Sequence, residues 1–266
     1  MKKTFAKKSL GQHFLISKKV VLDMVEAANV LAGDRVLEVG PGRGVLTRAL
    51  LDGGAFVVAI EKDESLVEEL KNTFAKEIKD GKLVLLAEDI LEIAHWTEKK
   101  RTAYFGKKYK VVANIPYYIS GALFELFLSL PIQPESITFL IQKEVAQRAV
   151  AKSGKESLLS LSIKCYGKPR YVRPVKKTLF RPIPKVDSAI ITITNISRDF
   201  FSHFSEKDFF ITIKKGFAHK RKLLKGNLGL ATGALTKAGL SEKARAEDLT
   251  LSDWARLISC PPFPKS

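Results

Sequence analysis

Apolar positions along the chain fall into two alternating patterns. Short β-branched runs recur at 35–40 (RVLEVG), 55–61 (AFVVAIE), 82–89 (KLVLLAED), 110–117 (KVVANIPY) and 136–142 (SITFLIQ). Runs of that length, bounded by glycine or charge, read as buried strands. Between them lie stretches with helical spacing. Residues 18–32 put Val21, Leu22, Val25, Ala28 and Ala32 on one stripe, 44–53 stops at Gly53-Gly54, and 63–79 is charged and amphipathic. Residues 120–130 and 143–151 complete the set of predicted helices. The polar 95–108 predicts a connecting loop, and Leu158–Tyr166 and Ser188–Ile196 predict two late strands. Strands alternating with helices predict an α/β fold with a parallel, doubly wound sheet and right-handed crossovers. From about 200 the pattern becomes Phe- and Lys-rich helix with no further β run, so residues 1–199 and 200–266 are expected as a larger domain and a small helical one.

Composition narrows the class. The chain has 266 residues, 45% of them hydrophobic, enough to bury a core. No apolar run approaches the roughly 20 residues of a membrane span, and no apolar stretch follows the charged N-terminus. The expectation is a cytoplasmic protein, a monomer with no membrane partner. Cys165 and Cys260 are too few for a disulfide framework or a Cys-only zinc site.

The formal charge is +17, unevenly spread. Residues 1–22, 157–186 and 209–241 carry twenty-one Lys and Arg with no acid, which leaves the rest of the chain at net −4. Tyr166, Tyr171, Phe180 and Phe217 lie among these cations. Cations with interleaved rings fit a nucleic acid, whose phosphates take the charge and whose bases stack. Solvated helix and loop faces would look the same.

Candidate chemistry sits at the predicted strand ends, where ligands of doubly wound sheets bind. Gly40, Gly42 and Gly44 follow the first strand and open a helix, where backbone can approach a ligand and helix N-terminal amides favour an anion. Glu61 ends the second strand and can accept from ribose hydroxyls; Asp89 ends the third and can accept from an adenine amine. Two acids with no compensating Lys suit S-adenosylmethionine, which has no phosphate, while a dinucleotide stays open as the alternative. At the fourth strand Asn114-Ile115-Pro116-Tyr117 combines an amide, a carbonyl and a ring. This set can receive an exocyclic base amine, with Asn114 Oδ1 and the Ile115 carbonyl accepting its N–H groups and Tyr117 stacking on the base. An Asn-capped proline turn has the same letters. His95, His203 and His219 read as surface residues and Cys165 as a buried strand residue; no metal cluster or catalytic triad is expected.

NIPY (114–117), after EVGPGRGVLT (38–47), Glu61 and EDIL (88–91), resembles the ribosomal RNA adenine N6,N6-dimethyltransferase family. GQHFL (11–15) is similar to that family's GQNFL signature, FRPIPKVDSAI (180–190) to its FxPxPKVDS segment, and HKRKLLKGNL (219–228) to its basic C-terminal helix. The matches run in order from residue 9 to about 228. KVDS resembles the kasugamycin-resistance group, which acts on small-subunit RNA, more than the macrolide-resistance enzymes of the large subunit.

The resemblance implies a Rossmann-like seven-stranded methyltransferase sheet with a small C-terminal helical domain. It implies S-adenosylmethionine as methyl donor, no metal, and small-subunit ribosomal RNA in a 30S or pre-30S particle as partner, with a role in subunit assembly. His13, Leu15, Gly40, Gly42, Glu61, Asp89 and Asn114 would hold the donor. Asn114 to Tyr117 would hold the adenine, with Phe180 as its second stacking face. Lys176, Lys177, Arg181, Lys185, Lys220, Arg221, Lys222 and Lys225 would contact RNA. Two departures stand out: His13 occupies the usual Asn position, and KRKLLKGNL lacks the usual RRK start.

Overall fold

A computed structural model describes residues 12–259. Most of the basic N-terminal segment and Cys260 therefore lie outside the described residues. In chain order the elements begin with β1 (Phe14–Leu15), α1 (Lys18–Ala27), β2 (Arg35–Val39), α2 (Val45–Asp52), β3 (Phe56–Ile60), α3 (Glu64–Thr73), α4 (Ala75–Lys79) and β4 (Leu83–Leu86). They continue with α5 (Glu98–Phe105), β5 (Lys110–Asn114), α6 (Ser120–Ser129), β6 (Ser136–Gln142), α7 (Lys143–Ala149), α8 (Leu158–Lys164), β7 (Lys168–Val175), β8 (Phe180–Arg181) and β9 (Ser188–Thr194). The C-terminal helices are α9 (Glu206–Gly216), α10 (Leu224–Leu228), α11 (Ala234–Lys237) and α12 (Leu251–Ser259).

Seven strands form one sheet in the order β4-β3-β2-β5-β6-β9-β7. The first five are mutually parallel, and β9 runs antiparallel to β6. The expected seven-stranded α/β sheet is thus present. Its central strands read as unbroken apolar runs because helices cover both faces; Val111, Val112 and Ala113 of β5 and Phe139, Leu140 and Ile141 of β6 are all fully buried.

The local departures from the predicted elements have identifiable causes. Leu158–Lys164 is a helix, started by a capping box in which the Ser157 hydroxyl accepts the Ser160 N–H and Ser160 Oγ accepts the Ser157 N–H. Cys165 is accordingly a buried helix C-cap and not a strand residue. The strand comes later, as β7, and its Pro169 and Pro174 are tolerated because β7 is the sheet's edge. The expected loop at 95–108 contains α5, capped by the Thr97 hydroxyl. Its inward face includes Arg101, which donates to the Ile93 carbonyl at 3.1 Å and to that of Trp96, so hydropathy alone did not reveal the face. Helix 18–32 stops at Ala27, two residues before the left-handed Asn29, and 63–79 breaks at Phe74 into α3 and α4.

The described chain forms two compact units, but not by a single cut at 199. Residues 12–146 with Arg170–Ile196 make one; Gln147–Pro169 with 197–259 make the other. In the second unit Tyr166 and Phe201 meet edge-on, Tyr166 donates its hydroxyl to Glu206, and Phe200, Phe204, Phe209 and Phe210 extend the ring cluster. These contacts are why the segment holding α8 belongs with the C-terminal helices.

Candidate active site

One cavity of about 720 Å³ opens at the carboxyl ends of the parallel strands, inside the first unit. That is the size range of small-molecule sites, ~300–1,000 Å³. It is bordered by Gly40 and Gly42 after β2, Glu61 after β3, Asp89 after β4, and Asn114 to Tyr117 after β5. Because those strands adjoin in the order β4-β3-β2-β5, the four groups are met in sequence along one line of strand ends.

The Gly-rich turn is held by packing on both sides. Gly42 has φ +59°, and a Cβ there would meet the Phe14 ring at 3.1 Å. Gly44 has φ +75°, and a Cβ would meet Phe74 at 2.4 Å. The turn can therefore lie flat between β1 and α3 only with glycine in place.

Glu61 is buried, and its carboxylate accepts the Gly42 N–H at 3.2 Å and the Asp63 N–H at 3.0 Å. Burial raises its pKa against the lowering effect of those amides. Asp89 caps the short 3₁₀ helix Ile90–His95, accepting the Leu91 N–H at 3.0 Å, and pairs with Lys62 at 2.7 Å. Its desolvation is outweighed by Lys62 and that amide, so its pKa is lowered. The expectation of two acids without a compensating Lys thus fails for Asp89. Lys62 follows Glu61 directly, but an exposed strand-end lysine has too much reach for sequence to assign its partner.

The two distant motifs 11–15 and 180–190 meet here. β1 pairs antiparallel with β8, Phe14 opposite Arg181 and Leu15 opposite Phe180. His13 Nδ1 donates to the Pro182 carbonyl at 2.8 Å, and Arg43 stacks over Phe14. Asn114 Nδ2 donates to the His13 carbonyl at 3.3 Å, which turns Oδ1 the other way as an acceptor. Tyr117 hydrogen-bonds Ser188 at 2.8 Å, and the His13 ring lies nearly parallel to it, centroids 5.9 Å apart. Phe180 borders the cavity but is only 1% exposed and packs in the core with Leu15 and Val21. Its ring is therefore an anchor for the arm, the segment of residues 12–15 that carries β1, and the flat neighbour of Tyr117 is His13 instead. Sequence reasoning also missed Glu38, a fully buried carboxyl on β2 that borders the cavity, because it reads as one more strand position.

The other basic candidates lie elsewhere. Lys176, Lys177, Arg181 and Lys185 are exposed on the first unit, where Arg181 also borders the cavity. In the second unit Lys220, Arg221 and Lys222 are exposed on the loop between α9 and α10, so the expected basic helix is helical only from Leu224. Lys225 is half-buried and pairs with Glu242 at 3.6 Å. His95, His203 and His219 are exposed. Among the described residues no cluster of three metal-ligating side chains occurs, and no helix is long and apolar enough to cross a membrane.

A glycine-rich turn, an acid after the next strand and a cavity over the sheet's carboxyl edge define a Rossmann-like protein that takes a nucleoside ligand at its strand ends. The chain belongs to the ribosomal RNA adenine dimethylase family, whose model matches residues 3–260. It is 40% identical over 260 residues to the ribosomal RNA small subunit methyltransferase A of Dehalococcoides mccartyi strain BAV1, covering 95% of this chain and 87% of that one. The protein of the same name from Lactobacillus acidophilus is 36% identical, with 95% and 90% covered. A dimethyladenosine transferase from Plasmodium falciparum shares the fold, with a TM-score of 0.76 at 24% identity and 92% and 96% coverage. So does the 23S rRNA methyltransferase ErmE, with a TM-score of 0.72 at 24% identity and 92% and 97% coverage.

Proposed function

We propose that this enzyme dimethylates the exocyclic amines of two adjacent adenines in a hairpin loop near the 3′ end of small-subunit ribosomal RNA, using S-adenosylmethionine, and serves small-subunit assembly. The observation that carries the reading is the line of strand ends around one cavity: Asp89, Glu61, the Gly40–Gly42 turn and Asn114. The donor set fits the group. Glu61, Asp89 and Asn114 offer acidic or neutral acceptors, Lys62 beside them is paired with Asp89, a Cβ at Gly40 would meet nothing within 4 Å, and a buried carboxyl oxygen of Glu38 has no partner. Small-subunit specificity is supported by the 36–40% identity to relatives carrying that name.

When bound, S-adenosylmethionine supplies an electrophilic methyl group on a sulfonium. Glu61 keeps lone pairs beyond its two backbone amides for ribose hydroxyls, and Asp89 for the adenine amine. Around the target base, Asn114 Oδ1 and the Ile115 carbonyl accept the two amine N–H groups. They turn the nitrogen lone pair toward the methyl and stabilise the positive charge that grows on it. Tyr117, fixed by Ser188, offers its ring to the base. His13, Leu15 and Phe180 hold the arm against the site, and the His13 carbonyl keeps Asn114 in the accepting orientation. Alignment of this kind is worth ~7–11 kcal/mol. The alkylated ammonium is acidic and releases its proton to water, so no side chain needs to act as a strong base. Lys176, Lys177, Arg181, Lys185, Lys220, Arg221, Lys222 and Lys225 supply the phosphate contacts.

The test is tritium transfer from S-adenosylmethionine to purified 30S subunits and to free RNA, followed by primer extension. Two adjacent reverse-transcription stops near the small-subunit 3′ end are expected. Stops confined to large-subunit RNA, or no transfer, would overturn the assignment.

A further inference from the structure

The mouth of the cavity differs in chemistry from its floor. The acids of the wall, Glu38, Glu61, Glu88 and Asp89, are buried or half-buried, whereas its exposed charges are Arg43, Lys62 and Arg181, all cations. Lys62 holds Asp89, and Arg43 stacks over Phe14. Around the same mouth Ile16, Val45, Leu91 and Tyr118 are exposed large apolar side chains. A single exposed apolar residue is ordinary, but four around one opening mark an interaction site.

Tyr118 carries the most exposed of these side chains, at 69%. It follows Tyr117 directly in the short 3₁₀ turn Tyr117–Ile119 after β5. The two rings nevertheless have different surroundings. Tyr117 is half-buried, bonded to Ser188 and faced by His13. Tyr118 has no facing ring and no hydrogen bond to its hydroxyl among the described residues, and that hydroxyl lies within electrostatic reach of the Lys62 ammonium. Two consecutive rings are thus presented, one inside the cavity and one on its rim beside an exposed cation.

The proposed reaction leaves a use for the outer ring. An adenine whose amine reaches Asn114 has left its stack, so the base next to it has lost a neighbour on one face. An exposed ring among cations that take phosphates is the kind of surface on which single-stranded bases stack. Tyr118 is one residue from Tyr117, about 3.8 Å along the backbone, so a base lying on it belongs to a nucleotide adjoining the target.

We propose that Tyr118 is the stacking platform for the base beside the target: while one adenine of the pair occupies the cavity, its neighbour lies on the Tyr118 ring at the mouth. The inference rests on the substrate reading above. Tyr118 holds the neighbour by its flat face and not by its hydrogen-bonding edge, so any large ring at this position can serve.

The test is tritium transfer by the full chain to intact 30S subunits and to subunits in which one adenine of the pair is replaced by an abasic residue. Tyr118→Ala should raise KM for intact subunits about 5–150-fold, the loss of one stack between base and ring. The abasic residue should raise the parent's KM for methylation of the remaining adenine by a similar factor. Both changes together should cost no more than either alone, because they remove the same contact. Tyr118→Phe and Tyr118→Trp should restore the parent KM, and donor affinity of Tyr118→Ala in a calorimetric titration should match the parent's. Donor affinity lost in step with KM would make the ring a cover for the donor and overturn the inference. So would losses that multiply, no rescue by Phe or Trp, or a KM within about twofold of the parent's for either single change. The abasic arm needs no variant, so it decides the matter even if Tyr118→Ala does not fold. In all these outcomes methylation of the intact pair leaves the substrate reading standing. Failure of the parent to methylate either adenine would overturn both.

Discussion

Replacing Asn114 with alanine separates the chemistry of the site from its binding of the donor. The proposed function gives the side chain two jobs, on different atoms. Nδ2 donates to the His13 carbonyl at 3.3 Å, and on the proposed reading Oδ1 accepts from the target amine. Losing an acceptor aimed at charge that develops only in the transition state costs about 10²–10³ in kcat, by analogy with the loss of one oxyanion-hole donor. Losing the long bond to the arm costs about 0.5–1.5 kcal/mol, which weakens donor binding by tenfold or less. Asn114→Ala should therefore lower kcat for transfer to 30S subunits at least ~100-fold, while donor affinity falls no more than ~10-fold. Asn114→Asp keeps the acceptor but sets a carboxylate oxygen against the His13 carbonyl, so it should lie between the two. The assay is tritium transfer at saturating donor beside an equilibrium titration. Turnover within threefold of the parent, or a loss in affinity equal to the loss in turnover, would refute the division of labour.

Glu61→Ala should weaken the methyl donor by about 10–100-fold, since hydrogen bonds to a charged acceptor are worth ~1.5–3 kcal/mol; an unchanged isotherm would remove Glu61 from the ribose role. Gly44→Ala forces a Cβ into Phe74 at a left-handed φ. Overpacking of ~1–3 kcal/mol with ~1–2 kcal/mol of backbone strain should lower Tm by about 5–15 °C in a thermal melt, and an unshifted melt would show that α3 yields freely. Binding to RNA should weaken steeply with salt, and alanine at Lys220, Arg221 and Lys222 together should flatten the log–log slope by about 2–3; an unaltered slope would take that loop out of the RNA contact. Because burial raises the Glu38 carboxyl from 4.5 to about 8 in the folded state, the stability it contributes is full below pH ~4.5 and is lost as pH rises toward 8. Denaturant titrations of the parent should show that decline in part, and Glu38→Gln should shrink it; identical pH profiles would contradict the burial argument.

What the sequence could disclose followed the range of each interaction. β2 to β6 and the acids at their ends were legible because a buried parallel strand is a continuous apolar run and the ligand groups follow it directly. Leu158–Tyr166 misled for the opposite reason. Its alternating Leu and Ser mimic a half-buried strand, and only the reciprocal bonds of Ser157 and Ser160 make it a helix. Arg101 hid α5 because a guanidinium that caps three carbonyls counts as polar in any hydropathy pattern. Lys62 could not be assigned to Asp89, 27 residues away, since nothing local distinguishes a paired lysine from a solvated one.

The arm shows the same limit at the level of the site. GQHFL and FRPIP are 165 residues apart, and no periodicity in either implies the two-residue ladder of Phe14 with Arg181 and Leu15 with Phe180. Yet in the proposed function that ladder bears on the chemistry. It brings the His13 carbonyl to Asn114, and with it the choice of which amide atom faces the cavity. The backbone carbonyl of residue 13 makes that contact whichever side chain stands there, so the exchange of the family's usual Asn for His leaves the orientation of Asn114 intact. What the exchange adds is a ring lying nearly parallel to Tyr117, at 5.9 Å. On the proposed reading the departure at residue 13 therefore acts on the rings around the adenine, while the hydrogen bond that aims the acceptor is carried by the main chain.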